Sequence, residues 1–262
     1  LGVCARAQGD DRNAQASFRR ALEREALHAP SLQGLVEVAA AKADWRTVVD
    51  AKRSLVEATP DDQKAKLLEE IGDTYREKLK DSANSISAYL EGLKMQPGSR
   101  VLLHKLLEAY TEQKQWRRAV ETLDQLGAQE TSMDRRARFH YTAAVIARDE
   151  VHDVDLAVER FHAALDDDPT TQKAFEAIEK LLTERKEWKG LARAYRKQIK
   201  RLGEDAPTDK ALALWTKLGD VCADHLGDNE AATEAYQVAC ELALEDMTRH
   251  EQLADLYLEA GE

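Results

Sequence analysis

Glycine, proline and aromatic residues are scarce in this chain of 262 residues, which has 12 glycines, 5 prolines and an aromatic fraction of 6%. Alanine, leucine, glutamate, lysine and arginine dominate instead, and these side chains lose little rotamer freedom in a helix. The charged fraction of 33% suits thin helical layers better than one thick core. No run of about 18 apolar residues occurs, so we predict no membrane insertion. The composition predicts an all-α protein with an extensive hydrated surface.

An excess of positive charge is also lacking, because the net charge is −11. Free nucleic acid and anionic lipid each require a concentrated cationic face, so we expect neither as a partner. The most basic segments are RRAVETL and YRKQIKR. We interpret both as solvated helix faces.

Cysteine is rare, and Cys4, Cys222 and Cys240 form no CxxC pair. Cys222 and Cys240 replace small apolar residues in helical patterns, so we interpret them as packed free thiols. A reducing compartment such as the cytoplasm fits this usage. The sequence does not begin with methionine and helical patterns run through both of its ends. We therefore expect a fragment of a longer protein, with any targeting signal outside it.

Catalytic motifs are missing as well. The sequence contains no GxSxG, HExxH, Walker or GxGxxG pattern. His152, Asp153 and Asp155 form the one cluster that suggests a metal site, but sister segments at this place are ordinary polar turns, and we interpret it as a turn with a helix cap. The acidic run 166–168 lacks the glycine and terminal glutamate of a calcium loop. We predict no enzymatic activity, no cofactor and no metal.

Internal repetition is what the sequence does have. Three tryptophans with similar contexts recur at nearly equal intervals, and a second aromatic series interleaves with them at almost the same interval. The two series are Trp45, Trp116 and Trp188, and Tyr89, Phe161 and Tyr236. We infer a double unit of about 72 residues that contains two helical hairpins, each with a first and a second helix.

These hairpins resemble the tetratricopeptide repeat (TPR). That family places Leu-Gly and then Tyr on the first helix, and Ala, an aromatic, Ala and Pro on the second. The matching positions here are Ile71, Gly72 and Tyr75, Leu218 and Gly219, Ala14, Phe18 and Ala21, Ala157, Phe161, Ala164 and Pro169, and Ala232, Tyr236 and Ala239. Departures occur at Lys52 and Leu123, where the aromatic belongs, and at Thr131, where proline belongs.

The resemblance implies an all-α fold, a right-handed α-solenoid of TPR-like antiparallel helix pairs whose first helices line a concave face. We predict a single solenoid over 1–262. Its hairpins are placed at about 1–29 (truncated), 30–60, 61–97, 98–130, 131–169, 170–203, 207–246 and 247–262 (truncated).

Two hairpin types alternate and differ by one residue in the turn. One type has a tryptophan in the turn, which we interpret as a cover that seals the turn against the neighbouring hairpin. The longer type has an aspartate at the same place, and aspartate at a helix start accepts backbone N–H bonds. These aspartates are Asp81, Asp153 and Asp228. Further helix caps are predicted after three prolines, at Ser31, Ser99 and Thr170.

The concave face is the remaining candidate for a site. The predicted partner-binding residues on successive first helices are Arg76, His104, Glu108, Arg138, Tyr141, Arg148, Lys173, Lys180 and Asp220. Some TPR proteins hold the C-terminal carboxylate of chaperones with Asn and Lys at set concave positions. The equivalent Asn position here reads Asp73, Glu108, Val145, Lys180, Asp220 and Asp255. Carboxylates there would repel such a ligand, so we do not expect this clamp.

We therefore predict a non-enzymatic scaffold that binds a peptide or protein partner along the groove. A rigid groove of helices offers extended contact without having to order itself on binding. Two alternatives are a structural module that self-associates within a larger assembly, and an RNA-processing helical-repeat protein. The acidic balance argues against the second of these.

Overall fold

The computed structural model describes residues 2–203, 206–243 and 253–254. Within these residues every regular element is a helix. The predicted fold class, an all-α solenoid of TPR-like antiparallel helix pairs, is confirmed. The truncated last hairpin predicted for 247–262 lies outside the described residues, except for 253–254. The chain divides into two compact units with their boundary between Gln129 and Glu130, so a single solenoid over the whole chain stays a prediction.

Unit 1 contains eight α-helices and one π-helical segment among its described residues. They are α1 (Gly2–Ala7), α2 (Asp11–Arg24), α3 (Ala29–Ala41), α4 (Trp45–Ala58), α5 (Asp61–Asp73), π1 (Thr74–Leu79), α6 (Ser82–Met95), α7 (Arg100–Glu112) and α8 (Trp116–Ala128). Consecutive helices pack as pairs, α1 with α2, α3 with α4, α5 with α6 and α7 with α8, and each pair also contacts the next.

Unit 2 repeats this plan with six α-helices and two π-helical segments in its described part. They are α9 (Met133–Ile146), π2 (Ala147–Val151), α10 (Val154–Asp167), α11 (Gln172–Glu184), α12 (Trp188–Leu202), α13 (Thr208–Asp220), π3 (Val221–Leu226) and α14 (Asn229–Leu242). The pairs are α9 with α10, α11 with α12 and α13 with α14. The odd-numbered helices are the first helices of their hairpins, and the even-numbered helices are the second.

One backbone hydrogen bond recurs in all six complete hairpins. The N–H of the residue that precedes the second helix donates to a carbonyl near the end of the first helix, at 2.8–3.0 Å. In the three short turns the bond spans five residues, and in the three long turns it spans six. The long turns are the ones that contain π1, π2 and π3. The extra residue is thus absorbed as a wider π-helical turn of the first helix.

The residue directly before the donor of this recurring hydrogen bond adopts a left-handed conformation. Its φ lies between 53° and 61° in all six hairpins, yet glycine fills the position in one hairpin alone. The six residues are Ala43, Lys80, Lys114, His152, Lys186 and Gly227. A left-handed residue reverses the chain between antiparallel helices, and side chains other than glycine adopt this conformation at some cost.

The predicted aspartate caps are confirmed in all three long hairpins. Asp81, Asp153 and Asp228 each accept a hydrogen bond from the backbone N–H three residues later, at 3.1–3.2 Å. The N–H groups of the first helical turn have no partner within the helix, so these carboxylates satisfy one of them.

Two of the three caps predicted after prolines are wrong. Helix α3 begins at Ala29, before Pro30, so Ser31 lies inside the helix, where it is buried and hydrogen-bonds to the His28 ring. The cap of α11 is Thr171 rather than Thr170. Proline is tolerated in the first helical turn, where its missing N–H is not needed, so it does not mark the start to the residue. Ser99 does precede α7, but its side chain makes no capping hydrogen bond.

In several hairpins an aromatic side chain of the core packs against a glycine. A Cβ added to Gly72 would lie 2.2 Å from the Tyr89 ring, and one added to Gly219 would lie 2.5 Å from the Tyr236 ring. In the first hairpins Phe18 fills the same role. The glycines of the first helices therefore let the rings of the second helices approach the backbone, which brings paired helices close together.

Two of the three tryptophans that were predicted to cover a turn lie against the following hairpin. Trp45, Trp116 and Trp188 each begin a second helix. The Trp188 ring stacks on His225 of π3 in the next hairpin, with centroids 3.7 Å apart. The Nζ of Lys78 in π1 lies 5.5 Å from the centroid of Trp45. The Trp45 and Trp188 rings thus contact the following hairpin.

Candidate functional site

The first helices of unit 2 border an open groove of about 800 Å³. Its walls come from α9 and α11, and three of the predicted site residues line it: Arg138 and Tyr141 from α9 and Lys173 from α11. Two carboxylates, Asp134 and Glu176, line it as well. Helical spacing explains the cluster, because residues three apart share one face of a helix. Charges of both signs therefore face the same space.

Tyr141, the aromatic side chain of the groove, packs against a buried ring of the core. Tyr141 is half-buried, and its ring meets the buried Phe161 ring edge to face, with centroids 5.6 Å apart. Such a contact fixes the ring, so Tyr141 presents a defined surface to the groove.

The two cations of the groove are exposed. Neither Arg138 nor Lys173 forms an ion pair with another described residue. Their N–H groups are directed donors for carboxylate or carbonyl oxygens of a ligand. Exposure without an ion pair separates Arg138 and Lys173 from the other predicted cations Arg76, Arg148 and Lys180.

Arg148, also predicted as a site residue, is occupied within unit 2. Its guanidinium donates to both carboxylate oxygens of Asp149, at 2.6 and 2.8 Å, and lies 5.8 Å from the Phe161 centroid. The hydrogen bond to Asp149 raises the pKa of Arg148 above its usual value. Burial opposes this rise but is the smaller effect. Arg148 is therefore less accessible to a ligand than Arg138.

Lys180 and Asp220 do not line this groove. Lys180 is exposed and lies 3.9 Å from Glu184 on the same helix. Asp220 accepts a hydrogen bond of 2.7 Å from the Tyr236 hydroxyl. Partner binding by these two residues stays a prediction.

Two of the three predicted site residues of unit 1, Arg76 and Glu108, pair with each other. The Arg76 guanidinium contacts Glu108 and Glu112 of α7, each at 2.6 Å. Hydrogen bonding to Glu112 raises the pKa of Arg76, against a smaller effect of burial. His104 lies exposed on the same helix α7.

A second pair links the same first helices of unit 1. The ammonium group of Lys105 lies 2.7 and 2.8 Å from the two oxygens of Asp73. Burial would by itself lower the pKa of Lys105, but the hydrogen bonds and charge of Asp73 and Glu69 outweigh it, so the pKa is raised. The first helices of unit 1 thus neutralise much of their own charge.

Sequence reasoning missed a set of tyrosine–carboxylate hydrogen bonds. In three hairpins the hydroxyl of the second-helix tyrosine donates to a carboxylate of the first helix, at 2.6–2.7 Å. The pairs are Tyr89 with Asp73, Tyr195 with Glu179 and Tyr236 with Asp220. Burial, and then the carboxylate, raises the pKa of each tyrosine. Each pair is separated by 16 residues, and this constant separation is a signal that the sequence contains.

The remaining polar groups do not assemble a metal or thiol site in the described part of the chain. No group of three potential metal ligands occurs there. Asp153 caps α10, and Asp155 forms an ion pair with Arg185. Cys222 and Cys240 are buried, and burial raises the pKa of the Cys222 thiol. Among the residues described, no helix is both long and apolar enough to cross a membrane.

Comparison with known proteins finds a family match over one segment of the chain. The tetratricopeptide repeat family profile matches residues 65–99. No curated protein matches the sequence. The structure of Naa15/Naa10 bound to HypK-THB is similar, with a TM-score of 0.50 and 12% sequence identity over 97% of this chain. The chain spans 37% of the length of that relative.

Two further solved structures are similar over different lengths. A tetratricopeptide repeat protein from Parabacteroides merdae is 17% identical over 98% of this chain and 96% of its own, with a TM-score of 0.39. MamA is 16% identical over 64% of this chain and 94% of its own, with a TM-score of 0.38.

Proposed function

Because this chain is an array of TPR-like helical repeats, we propose that it binds an extended segment of a protein partner in the groove between α9 and α11. TPR proteins are in general protein-interaction scaffolds without enzymatic activity. The proposal adds to this general role a place on the molecule and the residues that make the contacts.

One observation carries the proposal: Arg138, Tyr141 and Lys173 line one open groove and are not consumed by ion pairs with other described residues. Arg76 of unit 1 and Arg148, which lies 72 residues later in unit 2, are already bound to carboxylates. A ligand of either arginine would have to break those contacts, whereas a ligand of Arg138 and Lys173 would not. This difference favours the groove between α9 and α11 over the positions of Arg76 and Arg148.

The groove suits an extended segment that carries both polar and apolar groups. Arg138 and Lys173 can donate to carbonyl or carboxylate oxygens, and the Tyr141 ring can pack against a side chain. Asp134 and Glu176 can accept from N–H groups or cations of the same segment. Because the helices are already packed, little ordering is needed on binding.

The test is a comparison of captured proteins. The intact chain and the double variant Arg138→Glu with Lys173→Glu serve as bait, and quantitative mass spectrometry measures what each retains. The matched control is Lys66→Glu with Lys94→Glu. Lys66 and Lys94 are exposed lysines of unit 1, and Lys66 occupies the position of α5 that is equivalent to Arg138 in α9. Both variants change the net charge equally.

We expect the partner to be lost from the groove variant and kept by the control. Equal capture by all three proteins would contradict the proposal. Light scattering at several concentrations is run in parallel. A mass that rises with concentration, with the chain itself as the captured protein, would favour self-association instead.

A further inference from the structure

Helix α12 is unusual in charge for so acidic a chain. Its sequence, WKGLARAYRKQIKRL, contains six cations and no carboxylate, while the whole chain has a net charge of −11. One side of the helix is buried in the core of unit 2 through Leu191, Ala194 and Tyr195. Five of the six cations lie on the remaining surface, and the side chain of Arg201 is almost buried.

Two of the six cations are bound to the neighbouring second helix α10. Lys197 and Arg201 both contact the carboxylate of Asp166, at 3.0 and 2.7 Å. Arg201 also donates to the backbone carbonyl of His162, at 2.9 Å. These contacts fix the side of α12 that faces α10.

The other four cations form a line along the exposed side of the helix. They are spaced by four, three and four residues, and all are exposed: Lys189, Arg193, Arg196 and Lys200. We call them the α12 stripe. Residues at this spacing share a helix face, and the stripe extends for about 16 Å at the usual helical rise. No member forms an ion pair with a described residue.

The stripe is one helix wide. The positions that correspond to the stripe in α10 and α14, counted from the buried aromatic residue of each helix, are mostly acidic. In each of these helices three of the four positions are exposed carboxylates. They are Asp155, Glu159 and Asp166 in α10, and Glu230, Glu234 and Glu241 in α14. A nucleic acid or a membrane surface is broader than one helix and would also meet the carboxylates of α10, which adjoins α12. A narrow acidic partner avoids this repulsion.

We propose that the α12 stripe docks an acidic α-helix of a protein partner, whose carboxylates follow the same spacing of four, three and four. The contact of α12 with α10 shows the chemistry within this chain, because a carboxylate of one helix binds cations of the next. The acidic remainder of the surface repels such a partner, which confines it to the stripe. This surface lies on a second helix and is separate from the groove between α9 and α11.

The probe is a synthetic peptide with four glutamates at that spacing. A peptide of about 15 residues is only marginally helical in water, so a side-chain lactam bridge holds it in the helical form. Its isomer has the same composition, with the glutamates distributed around the helix. Fluorescence anisotropy measures binding to the full chain. We expect the patterned peptide to bind about tenfold more tightly than the isomer, and the affinity to fall as salt is raised.

Variants of the full chain test the stripe itself. Lys189→Glu with Lys200→Glu should weaken binding of the patterned peptide about tenfold or more, and the neutral pair Lys189→Gln with Lys200→Gln should weaken it less. The charge-matched control is Arg46→Glu with Lys94→Glu. Arg46 follows the tryptophan that begins α4, as Lys189 does in α12, and Lys94 lies five residues after Tyr89, as Lys200 does after Tyr195. This control should bind like the wild type.

Three results would overturn the inference: equal binding of the two peptides, no effect of reversing the stripe, or tighter stripe-dependent binding of duplex DNA or anionic vesicles than of the patterned peptide. Circular dichroism confirms that each variant is folded. The groove variant Arg138→Glu with Lys173→Glu should still bind the patterned peptide, so failure of one proposal is distinguishable from failure of the other.

Discussion

Replacing Gly72 by alanine tests the packing rule on which the helix pairs depend. In an isolated helix this change is favourable by about 1 kcal/mol, because alanine has the higher helix propensity. In this chain the new Cβ would lie 2.2 Å from Cε1 and 2.5 Å from Cδ1 of Tyr89. Ordinary contacts between carbon atoms are roughly 3.5–4.0 Å. The ring must therefore move by more than about 1 Å.

The Tyr89 ring has little freedom to move. It is fully buried, and its hydroxyl is held 2.7 Å from Asp73. Overpacking of a core costs about 1–3 kcal/mol, and loss of the hydrogen bond costs about 0.5–1.5 kcal/mol. After the gain in helix propensity is subtracted, Gly72→Ala should lower the free energy of unfolding of unit 1 by about 1–3 kcal/mol.

Thermal unfolding followed by far-ultraviolet circular dichroism measures this change. The midpoint should fall by about 3–10 °C. Gly190→Ala in α12 is the matched control, because a Cβ there would lie no closer than 3.6 Å to its neighbours. It should leave the midpoint unchanged or raise it. A Gly72→Ala protein that melts at or above the wild-type midpoint would refute the packing argument, and Tyr89→Leu in the Gly72→Ala background should recover part of the loss.

Three further predictions concern turns, caps and pH. Lys114→Gly should stabilise unit 1 by up to about 1 kcal/mol in urea unfolding, and Gly227→Ala should cost unit 2 about as much, because both positions are left-handed; opposite signs would contradict this. Asp81→Ala should lower the free energy of unfolding by about 1 kcal/mol, because it removes a helix cap. Asp81→Asn should retain most of the wild-type stability. Burial and the nearby Arg201 hold the pKa of His162 at about 4, below the ordinary 6.5. The unfolded chain therefore binds the proton first as the pH falls, so stability should decline between about pH 6.5 and 4, and His162→Gln should flatten that decline in urea titrations at several pH values.

The helical content and the repeat could be predicted from the sequence because their causes are local or periodic. Low glycine and proline content, the regular spacing of the aromatics and the aspartates at helix starts each act through neighbouring residues. The one-residue difference between hairpin types was also visible. Its form was not: the structure places the extra residue in a π-helical turn, because the bond that closes each hairpin is kept while the first helix widens.

The sequence could predict where the candidate site residues lie, but not which of their charges are already paired with neighbouring residues. Helical register placed Arg76, Arg138 and Arg148 on first helices. In the structure Arg138 lies in α9, and Arg76 and Arg148 lie in π1 and π2, which continue α5 and α9. Whether each cation is available depends on which carboxylates neighbouring helices bring within reach. Arg76 meets two glutamates of α7, while Arg138 meets none among the described residues.

The sequence by itself determined the helices, their pairing into hairpins and the alternation of two hairpin types, since these follow from short-range periodicity and from small residues opposite aromatic ones. Tertiary structure alone decided which charged residues neutralise one another. Ion pairs such as those of Arg76 join side chains 32 and 36 residues apart, and they depend on distances of a few ångströms between helices. That is why Arg76 is bound to two glutamates while Arg138 is exposed to a groove.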